Sequence, residues 1–223
     1  MSRKLEIACF DVASAIRAAR AGAACIELCA DYDSGGLTPP TAWLEGLRAS
    51  LAIPIHIMIR PRAGDYCYSP AEFEGMKTDI LEYKALGADG FVFGILDKSN
   101  TVDMMRNKEL VELARPLPCT FHRAFDCQAD KAEALETIIS LGFTTLLTSG
   151  VHGSALEGKE ILRELVRLAA GRIQVMPGGG IRSVNITELA SSVQASWYHS
   201  AAIQAHSNAL DEAEVVRMRT AVS

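Results

Sequence analysis

The stretch "IPIHIMIR", residues 53–60, sets isoleucines at 55, 57 and 59 and places His56, Met58 and Arg60 between them. A period of two is the mark of a β-strand with two different faces. One face here is wholly branched-aliphatic and suits packing under helices. The other carries an imidazole, a thioether and a guanidinium, which an apolar core does not accept without partners. Such a strand fits a closed barrel, where one face meets the surrounding helices and the other fills the lumen.

The neighbouring segments repeat the arrangement. "KLEIAC" (4–9) points Leu5 and Ile7 one way and Glu6 the other, and "ACIELCA" (24–30) opposes Ile26 and Leu28 to Cys25, Glu27 and Cys29. Further strands are expected at "DGFVFGIL" (89–96), "CTFHRAF" (119–125), "FTTLLTSG" (143–150), "IQVMPGGG" (173–180) and "ASWYHSAA" (195–202). A helical stretch follows each strand. "DVASAIRAARAG" (11–22) closes on Gly22, and "SPAEFEGMKTDILEYKALG" (69–87) opens on Ser69 as N-cap, with Pro70 and Glu72 in its first turn. Helices are also expected in 39–51, 105–116, 130–142, 158–171, from about Ser183, and in 211–222. Eight strand–helix units imply parallel strands with crossover helices, and in this length they predict a single (β/α)8 TIM barrel over residues 1–223. A doubly wound open sheet is the rival. It would carry a glycine fingerprint in its first turn, where this chain reads "FDVASA".

Bulk properties remove several classes. Hydrophobic residues make up 49% and charged residues 22%, as in an ordinary globular protein. A net charge of −5 argues against a nucleic-acid surface, which needs a basic face. No apolar run reaches membrane-spanning length, and the opening "MSRKLEIACF" is broken by Glu6, against a signal peptide. Cys9, Cys25, Cys29, Cys67, Cys119 and Cys127 form no CxxC pair and read as free thiols of a reducing compartment.

Parity then predicts the lumen: Glu6, Glu27, His56, Arg60, His122, Gln174 and His199, with Trp197 also inward. Barrel lumens are ordinarily apolar. Buried charges must pair or bind something, so two readings stand: a structural ion network, or a ligand site at the C-terminal ends of the strands. Arg60 and Arg62 flank Pro61 with Asp65 nearby, and fit either a bidentate grip on a carboxylate or phosphate or a surface ion pair. In "TFHRAFD" (120–126), His122 faces the lumen as a general acid–base or metal ligand, and Asp126 can orient an imidazole or accept a proton. Arg123 has the opposite parity and is expected to pair in the helix layer. "LTSG" with Ser149, and Gly178, Gly179 and Gly180 before a helix, offer amides and a helix N-terminus to an anion, or simply close tight turns. Thiolates and thioethers suit Cu(I). Cys25 and Cys29 stand ~13 Å apart along one strand and cannot share an ion, so Cys29 would need Cys9 or Met58; the alternative is that it is a small apolar residue.

Taken in order, "LEIACFDVASAIRAARAGAACIELCADYDSGGLTPP", "PIHIMIRPRAGDYCYSPAEFEGMKTDI", "LGADGFVFGIL", "TFHRAFD", "LTSG" and "GGGI…N" resemble the CutC family, named for copper homeostasis, to about residue 201. The resemblance implies a (β/α)8 barrel, a cytoplasmic protein with a role in copper handling, and a homodimer or homotetramer. It implies copper (Cu+) as ligand, with Cys29 at the proposed cysteine position. It also carries over Glu6, Glu27, Arg60, Arg62, Asp65, His122, Arg123, Asp126, Asn185 and His199 as shared polar residues. The chain departs from the pattern at Cys25, where Arg is common, and at Ala201, where Ser is common. The expected ligand is therefore a copper ion or a small anion. In the enzyme reading the arginines hold the anion, Glu27 or His122 moves a proton, and Asp126 orients His122.

Overall fold

A computed structural model describes residues 3–151, 153–203 and 209–222. Its strands are β1 (Lys4–Cys9), β2 (Cys25–Leu28), β3 (Ile55–Met58), β4 (Gly90–Phe93), β5 (Cys119–Phe121), β6 (Thr145–Thr148), β7 (Gln174–Pro177) and β8 (Trp197–Ser200). They alternate with α1 (Val12–Arg20), α2 (Thr41–Arg48), α3 (Pro70–Ala85), α4 (Met104–Ala114), α5 (Lys131–Leu141), α6 (Lys159–Ala169), α7 (Ile186–Val193) and α8 (Glu212–Val222). All pairings between these strands are parallel, in the order β7-β6-β5-β4-β3-β2-β1-β8. A single parallel bridge between Gly178 and His199 brings the two edges together. The (β/α)8 barrel expected from the strand–helix alternation is the observed fold.

Outward residues form the main core. Leu5, Ile7, Ile26, Leu28, Ile55, Ile57, Ile59, Phe91, Phe93, Phe121 and Leu146 are buried beneath the helices. Helix α3 carries the capping box foreseen at Ser69: its hydroxyl accepts from Glu72 N–H while the Glu72 carboxylate accepts from Ser69 N–H. Gly22 follows α1 with φ of +98°, a left-handed conformation that ends the helix.

The inward face obeys strand register. Glu6 stands level with Cys25 on one side and His199 on the other, and Glu27 stands level with His56. Room for imidazoles comes from β4. A Cβ on Gly90 would sit 2.6 Å from the His56 ring, and one on Gly94 would sit 2.7 Å from His122 Nδ1. Both glycines have inward parity, so β4 supplies space where its neighbours supply rings. Gln174 and Trp197 are the first residues of β7 and β8 and lie at the bottom of the barrel, away from the polar cluster. Gln174 lines a groove there with Gly171 and Gln194, and the Trp197 ring lies 5.2 Å from Lys4 Nζ.

Candidate active site

A cavity of about 270 Å³ opens at the C-terminal end of the barrel. Glu27, Cys29, Met58, Arg60, Tyr66, His122, Arg123, Gly179, Gly180, Arg182, His199 and Ser200 are among its lining residues.

Its floor is a chain of ionisable groups. Glu6 Oε1 lies 2.9 Å from His199 Nδ1, and Glu6 Oε2 lies 3.3 Å from His56 Nδ1. His199 Nε2 lies 3.5 Å from Glu27 Oε2, which also accepts from the Cys29 thiol at 3.4 Å. Burial alone would raise the Glu6 carboxyl, but the imidazoles of His199 and His56 outweigh it and hold the group well below the usual carboxylate range. Burial would likewise lower both imidazoles. For His56 the bond and charge of Glu6 prevail, and for His199 the charge of Glu27 and the bond to Glu6, so both are raised. Glu27 differs: burial raises its carboxyl, the charge of His199 offsets only part of that, and Glu6 adds to it. Its Oε1 is buried and has no hydrogen-bond partner among the described residues.

His122 faces this chain from β5. It is buried, and its Nδ1 accepts from Ala124 N–H at 3.3 Å as the backbone turns into a 3₁₀ turn, Arg123–Cys127. An Nδ1 that accepts carries no proton, so the hydrogen is on Nε2. Nε2 is buried and unpartnered among the described residues. Burial, aided by the Arg60 charge, pushes the imidazole down to about 3, so it is neutral at physiological pH. Tyr66, at 4.9 Å between ring centroids, packs against it. Replacing Gly94 by alanine would drive a methyl into this ring, and neither His122 nor the adjacent Phe121 has space to yield. We expect a loss of about 1–3 kcal/mol by urea unfolding, with the His122 ring resonances displaced. Unchanged stability and unchanged resonances would show the ring to be loosely held.

The mouth is cationic. Arg60, just past β3, donates to the carbonyls of Ser34 (2.7 Å), Gly36 (3.2 Å) and Gly64 (3.1 Å), and its guanidinium lies 5.0 Å from the Tyr66 ring centroid. Arg182 donates to the Ile181 carbonyl (2.8 Å) and the Ser200 hydroxyl (2.9 Å). Among the described residues, neither is ion-paired to a carboxylate. Arg123 pairs with Asp126 at 2.8 Å and reaches Ser149 Oγ at 3.0 Å.

Several expected residues sit elsewhere. Arg62 bonds Glu72 (2.6 Å) and the exposed Asp65 (2.8 Å), outside the cavity lining. Arg123 is in the mouth rather than the helix layer, because strand parity ends at Phe121 and the 3₁₀ turn re-aims the side chains beyond it. Asp126 does not orient His122. It is buried, and accepts from Arg123, the Thr148 hydroxyl and the Ser149 amide and hydroxyl, tying the end of β5 to that of β6. Gly179 and Gly180 line the cavity, whereas Gly178 makes the barrel-closing bridge and packs on Leu147. The next helix starts at Ile186, not near Ser183, whose amide and hydroxyl are taken by Glu214. Asn185 bridges Gly180 O (2.9 Å) and Arg182 N–H (2.8 Å), which fixes the turn carrying Arg182. Sequence reasoning passed over Arg182 and Tyr66. The signal for Arg182 was its place two residues after the glycine triplet; for Tyr66, nothing in the periodicity marks it.

The CutC family model matches residues 3–204. A Mus musculus "copper homeostasis protein cutC homolog" is 46% identical over 89% of this chain and 73% of its own, and a Xanthomonas campestris family protein CutC is 44% identical over 89% and 82%. Among solved structures, a CutC protein from Streptococcus agalactiae superposes with a TM-score of 0.85 at 29% identity, covering 89% of this chain and 98% of that one. A thiamine phosphate pyrophosphorylase from Pyrococcus furiosus, at 17% identity and a TM-score of 0.67 over 98% and 95% of the two chains, shares the fold.

Proposed function

The chain belongs to the CutC family, and from that premise we propose that its barrel mouth binds a small anionic compound, a phosphate or carboxylate, and works on it by acid–base chemistry. The observation that carries this reading is the pair of cavity-lining guanidiniums, Arg60 and Arg182, that are not ion-paired among the described residues and open onto the same space as Glu27 and His122. Arg60 is buried and Arg182 partly so, and such cations held only by neutral oxygens favour an anionic guest. Gly179 and Gly180, after β7, lie where barrels commonly seat phosphate.

Calorimetric titration with inorganic phosphate and with succinate tests it. We expect wild type to bind at least one of them, and Arg182→Ala to weaken that binding about tenfold or more, the worth of a charge-assisted contact. Absence of binding, or binding indifferent to Arg182, overturns the reading.

The relatives' names favour a copper role, and one observation supports Cu(I) as cargo. The Cys29 Sγ and Met58 Cε atoms would each lie 3.4 Å from a Cβ on Gly36, so a thiol and a thioether share the cavity wall. The wider donor set fits Cu(I) poorly. Burial, then Glu27, holds the Cys29 thiol well above its ordinary range, burial likewise raises the nearby Cys9 thiol, and the remaining donors are the harder Glu6, Glu27 and His199. Stoichiometric Cu(I) capture against a competing chelator, lost in Cys29→Ala, would establish the cargo; its absence would remove it.

Six unpaired cysteines support a reducing, cytoplasmic location. None of the described helices is long and apolar enough to cross a membrane. Exposed Leu81, Met104 and Met105, on the neighbouring helices α3 and α4, support assembly as a homodimer or homotetramer.

A further inference from the structure

We propose that the site catalyses reversible proton transfer at a carbon next to a carbonyl, Glu27 taking the proton while His122 Nε2–H donates a hydrogen bond to the carbonyl oxygen of a small anionic substrate. This rests on the anion-site reading above and names its reaction class.

Three buried polar atoms on residues lining this cavity lack any partner among the described residues: Arg60 Nε, on the guanidinium assigned to the anion, Glu27 Oε1, which can only accept when ionised, and His122 Nε2, which can only donate in the tautomer set by Ala124 N–H. An unmet acceptor and an unmet donor are what a C–H beside a C=O needs. The donor is held rigid between Gly94 and Tyr66, and the acceptor is anchored through Oε2 by His199 and Cys29. A neutral imidazole donor with a carboxylate base is the combination that enolising barrels use.

Amine, hydroxyl and thiolate chemistry find no free group among the described lining residues. Among the described residues no lysine lines the cavity, so none of them offers an amine for a Schiff base. The Ser200 hydroxyl donates to the Ile181 carbonyl and accepts from Arg182 and Ala202 N–H, which leaves it no free role as nucleophile. The Cys29 S–H donates a hydrogen bond to Glu27 and keeps its proton, so it is not a thiolate.

The step balances without a co-reactant. The C–H bond breaks and its electron pair becomes the second bond of a C=C. The carbonyl π pair moves onto oxygen, where His122 Nε2–H meets the developing charge. The proton rests on Glu27 and returns to carbon. Glu6 is a positioning residue: it binds His199, which in turn contacts Glu27. The guanidiniums of Arg60 and Arg182 hold the anionic end.

In D₂O, the C–H next to the carbonyl should be replaced by deuterium. ¹H NMR with dihydroxyacetone phosphate, ribulose 5-phosphate and pyruvate as probes reads this directly. We expect wild type to exchange at least one probe 100-fold or more above buffer, Glu27→Gln to lose 100-fold or more of that, and His122→Asn to lose 10-fold or more. Circular dichroism and urea unfolding report whether Glu27→Gln is folded. Should E27Q not fold, Glu27→Asp, which keeps the carboxylate but shortens its reach, carries the same test with an expected 10-fold loss. No exchange on any probe, or exchange indifferent to both Glu27 and His122, overturns the proposal. If phosphate still binds in an Arg182-dependent way when exchange is absent, enolisation alone has failed; if neither is seen, the anion site has failed with it.

Discussion

Replacing Glu6 by glutamine is expected to cost about 3–5 kcal/mol at pH 6, read as a lower urea midpoint with an unchanged slope. The carboxylate is itself buried and sits between two partly buried imidazoles, 2.9 Å from His199 and 3.3 Å from His56. Its loss takes the nearest counter-charge from His56 and leaves His199 with Glu27 alone, and a neutral amide cannot replace it. The pH dependence has a definite sign. His56 and His199 are raised in the folded state, so their contribution is complete below the ordinary imidazole value of 6.5 and is lost as pH rises through their folded values. Glu6 is lowered, so its contribution is present above the ordinary 4.5 and is lost as pH falls through its folded value. The gap between wild type and variant should therefore be widest between about pH 4.5 and 6.5 and narrow towards pH 9. A gap under about 1 kcal/mol, or one flat across that range, would mean that the lumen does not hold this ion network.

His122 should make the protein acid-sensitive, and His122→Asn should relieve it. Burial, with Arg60 behind it, pushes this imidazole down to about 3. Between its ordinary 6.5 and that value the unfolded chain takes up a proton that the folded chain refuses, so stability falls as pH falls. At pH 4.5 the penalty is about 2–3 kcal/mol, from ~1.4 kcal/mol per unit. Asparagine can still accept from Ala124 N–H but does not titrate. From pH 7 to 4.5, the variant should lose about 2–3 kcal/mol less stability than wild type. Equal losses would show that His122 charges freely in the native state, contrary to its tautomer and burial, and would remove the neutral donor.

The alternation in "IPIHIMIR" sufficed for the architecture because backbone geometry forces it: in a strand, every second side chain shares a face. The same rule placed Glu6, Glu27, His56 and His199 in the lumen and, extended one residue past the end of β5, His122 as well, where the structure has them. It also held the unread meaning of Gly90 and Gly94, whose parity opens the space that two imidazoles fill.

The rule lapses where the strand does. Arg62, Arg123 and Arg182 all lie beyond a strand end, in turns whose direction is set by distant partners. Glu72 draws Arg62 outward, Asp126 and Ser149 hold Arg123 at the mouth, and Ser200 holds Arg182 there. Which carboxylate is flanked by two imidazoles, and which nitrogen of His122 keeps its hydrogen, likewise depend on contacts between segments far apart in the chain. Local sequence thus determined the barrel and which strand residues face its interior, since periodicity is a property of neighbours. Only the tertiary structure decided which charges are satisfied and which remain open to a ligand, since hydrogen bonds and ion pairs join residues that periodicity cannot relate.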